Sequence, residues 1–357
     1  MPPTNDSSKA RRQKASTSTS TGTGITTDRP SASTALPLEI QQQLLNVFSS
    51  SVVSSSLVQD PAELNRIIQQ VKGHLYARDF LAAFGQQSYL QAYAVRWSAA
   101  RALAYAAIFT HPTRSYLWSE PLLQGLPQRQ DQNSVCRVAC VGGGAGAELV
   151  ALAAAYKQIR LDRPLSVTAI DIADWSEVIT SLTAALFQPS TDTARARCDS
   201  DPLLSGTSTD KVSVNFVHKD ILSLPTSAIH DTFASTHLVT LMFTLNELFS
   251  TSIPRTTAFL LALTTSLASN THLVVVDSPG SYSEITLGDD PSRTKQYPMK
   301  WLLDHTLLNV AGQDSQTKWV KVETQDSVWF RIDKTLGLRY PLDLENMRYQ
   351  IHIYRRL

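Results

Sequence analysis

Apolar positions along this chain recur first at helical spacing and later in short strand-like runs, and the change of period divides the sequence. Residues 37 to 125 read as helical throughout. LPLEIQQQLLNVFSSSV gives a short amphipathic helix, Asp60-Pro61 supplies a cap and a first-turn proline for another, and SYLQAYAVRWSAARALAYAAIF (88 to 109) forms a third that ends at His111-Pro112. From 135 onward the apolar runs shorten: VCRVACV, LSVTAID (165 to 171), VSVNFV (212 to 217), THLVTLMFTL (236 to 245) and THLVVVD (271 to 277). Helical stretches separate them, among them DWSEVITSLTAAL, residues 254 to 269 and YPMKWLLDHTLL. Such alternation predicts a parallel sheet with helices on both faces. KWVKVET (318 to 324) and RYQIHIYRRL (348 to 357) alternate apolar with polar residues and suit an antiparallel hairpin closing the sheet edge.

Two stretches fall outside that pattern. Residues 1 to 35 are dominated by Ser, Thr, Pro and Gly, a composition that cannot bury enough surface to fold, and 188 to 210 reads as a low-complexity surface insertion. The expected organisation is therefore a tail (1–35), a helical N-terminal extension (36–125) and an α/β domain (130–357) carrying the insertion. Hydrophobic residues make up 43% of the 357, enough for a sizeable core. The formal charge is +1, but the tail alone holds Lys9, Arg11, Arg12, Lys14 and Arg29 against Asp6 and Asp28, a net of +3. The body is left at about −2, so it is no broadly basic nucleic-acid binder and any RNA contact must be local or helped by the tail. KARRQK (9 to 14) reads either as a nuclear import signal or RNA tether, or as a solvated tail. Cys136, Cys140 and Cys198 lack metal spacing and C-x-x-C pairing, so no metal site is expected. No apolar stretch approaches the roughly 20 residues of a membrane span.

The candidate chemistry begins at VCRVACVGGGAGAE. An apolar strand breaks into Gly142, Gly144 and Gly146, and a helix starts at Ala147, so the loop aims unpaired N–H groups at a nucleotide-like ligand. Gly142-x-Gly144-x-x-Ala147 also satisfies the dinucleotide pattern, whereas Gly142-x-Gly144-x-Gly146 satisfies the tighter loop of enzymes using S-adenosylmethionine (SAM). Asp171, at the end of the second strand, is placed to accept two ribose hydroxyls, and Asp220, after the third, to accept an adenine amine with Ile221 beside it. Either acid could instead be a cap or turn residue. A final antiparallel strand favours SAM over a nicotinamide cofactor.

Ligands of open sheets lie outside the carboxyl ends of the strands. Asn246, Glu247 and Asp277 also fall there. Asn246 and Glu247 would flank the transferable methyl and hold an acceptor base by its hydrogen-bonding edge, although Glu247 also suits a helix first turn. Asp277 is equally an ordinary turn acid before Ser278-Pro279-Gly280. Arg96, Trp97 and Arg101 are candidates for contacting a phosphate or base, or core residues.

The order YAVRWSAARALAY, CVGGGAGAEL, TAIDIADW, LMFTLNELF, VVVDSPGSYSEI, YPMKWLLDHTLL, DSVWFR and LENMRYQIHIYRR resembles a fungal family of SAM-dependent methyltransferases, from about residue 60 to the C-terminus. The last two segments are long and peculiar and carry most of the likeness. Cys140, where many methyltransferases have an acid, departs from the common pattern and leaves open a non-catalytic module. The resemblance implies a class I (Rossmann-like) fold, seven strands with one antiparallel, and SAM as cofactor. It also implies N3 of a uridine in large-subunit 25S rRNA as acceptor, with nucleolar action; a protein or small-molecule acceptor is the alternative. A monomer is the default expectation. Uridine N3 carries a proton, so the site needs a base or a means of stabilising the imide anion. Glu247 is the candidate base, Asn246 the orienter, and Arg348 with Tyr349 candidates for stabilising the anion or stacking. Trp329 and Phe330 are possible stacking surfaces for a flipped or single-stranded base.

Overall fold

The computed structural model describes residues 36–53, 60–118, 135–189, 201–205, 211–286, 294–312 and 317–357. Residues 36–357 form one compact unit. Strands β1 (Cys136–Val141), β2 (Leu165–Asp171), β3 (Val212–His218), β4 (Leu238–Met242) and β5 (His272–Asp277) are mutually parallel, in the order β3-β2-β1-β4-β5. A separate hairpin, β6 (Tyr282–Thr286) with β7 (Thr294–Pro298), follows β5. The main sheet then ends with β9 (Met347–Arg356) antiparallel to β5, and β8 (Trp319–Phe330) outermost, antiparallel to β9. β8 therefore runs with the parallel set and β9 alone opposes it, giving seven strands with one antiparallel, as the sequence pattern and resemblance imply.

The helices are α1 (Leu38–Val53), α2 (Pro61–Tyr76), α3 (Phe80–Ala83), α4 (Gln87–Tyr93), α5 (Ala99–Phe109), α6 (Ala147–Ile159), α7 (Ser176–Ala185), α8 (Thr226–Phe233), α9 (Leu245–Thr251), α10 (Ile253–Ser266) and α11 (Met299–Asp304). Asp60 caps α2 by accepting from Ala62 and Glu63 N–H, with Pro61 in the first turn, which explains why that helix starts where it does. Alternation along β9 separates two cores. Met347, Tyr349, Ile351 and Ile353 join the core shared with α1, α4, α5, α6 and α7, whereas Tyr354 joins that of α8, α9, α10 and α11. The N-terminal helices are thus packed onto the sheet: α5 lies on α6, and α1 touches α5, α6 and α7. Arg114, after α5, pairs with Glu323 of β8 at 2.6 Å and ties the same region to the far edge.

Several elements differ from the sequence reading. The helix expected over 88–109 is α4 and α5 joined by a π turn at Ala94–Ser98, and a second π turn, His305–Val310, continues α11. β8 extends from the expected strand through residues 326–330, and the SPGSYSEI segment runs into β6. Polar residues on an exposed edge strand hid the first, because only one face of it is covered. The tail lies outside the described residues, as do Cys198 and most of 188–210. Of that stretch, Leu203 and Leu204 are buried in the core, with Leu204 N–H donating to the Leu186 carbonyl.

Candidate cofactor and acceptor site

β1 ends at Val141, and the next residue turns with φ +75°, held by Gly142 N–H donating to the Ile170 carbonyl at 2.8 Å. A Cβ on Gly142 would lie 2.2 Å from Thr244 Oγ1, one on Gly144 2.0 Å from Trp175 Cδ1, and one on Gly146 2.1 Å from Leu182 Cδ1. The sequence suggested that this loop aims unpaired N–H groups at a ligand. The space each glycine clears is filled by a protein side chain, so the loop is clamped between the end of β4 and α7.

The three glycine N–H groups are all used within the protein: Gly142 as above, and Gly146 donating to the Gly143 carbonyl at 3.1 Å. Gly144 N–H donates to Asp171 Oδ2 at 3.0 Å, and Ala173 N–H to Asp171 Oδ1 at 3.1 Å. Asp171 therefore sits at the end of β2 with its orientation fixed, and burial raises its pKa against the pull of those hydrogen bonds. Asp220 Oδ1 accepts from Leu222 N–H at 2.9 Å and caps a short 3-10 turn, Ile221–Ser223. The Ile221 side chain is buried in the core beneath that turn, which leaves only its backbone for a ligand.

On the other side of the glycine loop, Phe243 takes φ +60° after β4 and α9 starts at Leu245. Asp277, buried at the end of β5, accepts from Asn246 N–H at 3.0 Å and Ser278 N–H at 2.7 Å. It thus braces the first turn of α9 as well as opening its own turn. Asn246 Oδ1 is buried with no hydrogen-bond partner among the described residues, an acceptor left for a donor. Glu247 opens to solvent at the same helix start, with protein packed around its remaining sides. Burial, with help from Asp277, pushes its carboxyl up to about 7, and Arg101 opposes the shift.

Glu148, the acid after the glycines, had no role in the sequence reading. It is 3% exposed, accepts from Thr240 Oγ1 at 2.7 Å and is pushed up to about 8, chiefly by burial. Its charge also helps to raise the thiol of Cys140, itself buried, so the two groups are neighbours. Cys140 thus stands in place of the usual acid, but a carboxyl reaches that place from the first turn of α6. The sequence signal was there, in an acid at the second position of the helix.

The N-terminal helices wall the site. Phe84 and Tyr93 pack edge-on or tilted against Trp175, at ring distances of 5.6 and 5.8 Å, and Trp175 in turn fills the space over Gly144. Arg101 donates to the Tyr93 hydroxyl and lies 4.9 Å from the centre of the Phe243 ring. Tyr93 and Arg101 are eight positions apart, which in a regular helix places them about 80° apart around the axis. The π turn between them absorbs one residue, so the eight steps turn like about seven and both side chains face the sheet. Arg96 does not join them. It pairs with Glu345 and the Asp343 carbonyl, and Trp97 packs tilted against Tyr93. Of the three N-terminal candidates only Arg101 reaches the site.

The C-terminal candidates lie on the adjacent edge. Tyr349 is buried in the core on the α5 side and Phe330 packs against it, so neither is a stacking surface. Arg348 and Trp329 face each other across β9 and β8, both exposed, with Arg348 Nε donating to Ser327 Oγ at 3.0 Å.

Residues 48–355 match a family model described as "Putative SAM-dependent methyltransferase". The chain is 32% identical over 341 residues to the 25S rRNA (uridine(2843)-N(3))-methyltransferase of Saccharomyces cerevisiae, covering 90% of this chain and 86% of that one. Among solved structures, a SAM-dependent methyltransferase from Methanosarcina mazei matches 63% of this chain and 94% of its own at 12% identity, with a TM-score of 0.35. The 1,6-didemethyltoxoflavin-N1-methyltransferase of Burkholderia thailandensis matches 79% of this chain and 89% of its own at 15% identity, with a TM-score of 0.37.

Proposed function

The chain belongs to the SAM-dependent methyltransferase family, and from that premise we propose that it methylates N3 of a uridine in large-subunit ribosomal RNA. The observation that carries the reading is the pairing at the start of α9: Asn246 with an unpartnered buried Oδ1, beside Glu247 whose carboxyl is pushed up to about 7. The yeast relative's name supplies the acceptor; the geometry supplies groups suited to it.

The residues fit the cofactor. Asp171 is oriented to accept its ribose hydroxyls, with Asp220 and the Ile221 backbone toward the adenine. On the β4 side, Arg101 offers a guanidinium to its terminal carboxylate. Asn246 Oδ1 offers an acceptor to its ammonium or to the acceptor base. When bound, the cofactor supplies an electrophilic methyl on a sulfonium. Glu247, ionised in part near neutral pH, takes the N3 proton and so turns a poor nucleophile into an imide anion. Asp277 holds the α9 start, and with it Asn246 and Glu247, in register with the glycine loop.

A ribosomal acceptor puts the site of action in the nucleus and nucleolus, and rRNA is then the partner. The test is nucleoside mass spectrometry of large-subunit rRNA from cells whose only copy carries Asp171→Ala or Glu247→Gln. Selective loss of 3-methyluridine is expected for both. An unchanged profile, with the Asp171→Ala protein folded and unable to bind SAM, would overturn the rRNA reading in favour of a protein or small-molecule acceptor.

A further inference from the structure

At the outer edge of the sheet, Trp329 is 50% exposed and carries two guanidinium groups on its ring, Arg331 at 4.8 Å and Arg348 at 5.7 Å from the ring centre. Among the described residues neither arginine forms an ion pair. Two like charges held beside one indole repel each other, and exposed cation–π contacts return only about 0.5–1 kcal/mol apiece. The cluster is therefore chemically incomplete: it offers charge for an anion and a ring face for a flat apolar group.

Its place in the fold is specific. β8 runs with the parallel strands, so its C-terminal end lies on the same sheet edge as Asp171 and Asp277. Trp329 pairs with Arg348, two residues before Gln350, and Gln350 pairs with Asp277. With strands about 4.8 Å apart, β8 lies only about 10 Å from β5. Alternation along β9 puts Arg348 on the side of α9 and α11, opposite Tyr349. On that side Trp301 of α11 is 47% exposed and stacks with His305 at 5.1 Å and 4°, while Lys300 bridges to Asp326 of β8 at 2.6 Å.

We propose that Trp329, Arg331 and Arg348 form the docking surface for the single-stranded RNA flanking the target uridine, one base stacking on the indole while adjacent phosphates take the guanidinium groups. The proposal rests on the RNA reading above and adds where the strand lies. Stacking on an exposed aromatic beside arginines is how single strands are held without sequence readout. It also explains how a body without broad positive charge can bind RNA, through a local patch.

The test measures anisotropy of a fluorescent oligouridine against salt for wild type, Trp329→Ala, Trp329→Phe and Arg331→Ala, with S-adenosylhomocysteine binding by calorimetry alongside. Trp329→Ala is expected to weaken RNA binding about tenfold, in line with the stacking seen for single bases, with Phe restoring most of it. Arg331→Ala should lower the log–log salt slope by about one. S-adenosylhomocysteine binding should not change in any variant. RNA affinity and slope unchanged in Trp329→Ala and Arg331→Ala, with wild type binding the oligouridine, would overturn this surface and leave the RNA reading standing. Wild type that binds S-adenosylhomocysteine but not RNA would overturn both.

Discussion

The Arg101 guanidinium sits 4.9 Å from the centre of the Phe243 ring, joining an N-terminal helix to the turn that follows β4. Phe243 has φ +60°, a conformation costing a side-chain-bearing residue about 1–3 kcal/mol, and it is pinned by its N–H donating to the Val276 carbonyl at 2.7 Å. Strain of this kind persists only where the surroundings over-determine it, and here they position Thr244 against Gly142 and start α9.

If Arg101 binds the cofactor's carboxylate, the loss on replacing it depends on the ligand. Arg101→Met should weaken S-adenosylhomocysteine by at least about tenfold, ~1.4 kcal/mol, while 5′-methylthioadenosine, which lacks the amino-acid end, changes little. Calorimetry with both ligands decides it. Equal losses would mean that Arg101 only supports the helix.

The glycine loop should tolerate no added methyl at its centre. Gly144→Ala drives a Cβ to 2.0 Å from Trp175 Cδ1, and the resulting overpacking should cost about 1–3 kcal/mol by urea denaturation. Cofactor binding should fall with it, because Asp171 is oriented by the same residue's N–H.

Arg114 and Glu323 bridge the N-terminal region and β8 with side chains only 6% and 19% exposed. Arg114→Met leaves the Glu323 carboxylate with the Gln325 amide as its remaining donor among the described residues and should cost about 1–3 kcal/mol, whereas adding Glu323→Leu should recover much of it. Unfolding of the two single variants and the double gives the coupling directly. A purely additive result would show that the pair contributes nothing beyond packing.

Two carboxyls with raised pKa values should make stability and activity depend on pH in opposite directions. Glu148, raised from 4.5 to about 8, stays protonated in the folded chain after the unfolded chain has lost its proton. The folded state binds more protons across that window, so stability falls as pH rises from about 4.5 to 8. Glu148→Gln should flatten that part of the profile in thermal unfolding. If Glu247 is the base, it must be ionised to act, and kcat should rise with pH through about 7. Glu247→Gln should remove that limb and lower kcat by roughly 100- to 10,000-fold. An unaltered limb in the variant would assign the titration to another group.

Much of the frame was readable in advance. β2 spans 165–171 as expected, β1 runs into the glycine loop, and Asp171 and Asp277 close their strands. Buried parallel strands are largely apolar and their ends are marked by polar residues, so the carboxyl edge could be located. The edge strand β8 and the π turn at 94–98 were less legible. Half-exposed strands mix polar residues into the pattern, and a π turn alters hydrogen bonding without altering composition.

By itself, then, the sequence determined what depends on neighbours in the chain: strand, glycine loop and helix in succession, an acid at the end of the next strand, and an alternating final strand. The tertiary structure decided what depends on residues brought together from far apart. It turned Arg101 toward Phe243, set Glu148 against Thr240, and brought Glu247 near Asp277. It also separated Arg96 from Arg101 and Trp329 from Phe330, though each pair is close in sequence. A side chain's charge state and reach are set by the burial and the fields around it, and those are properties of the packed chain.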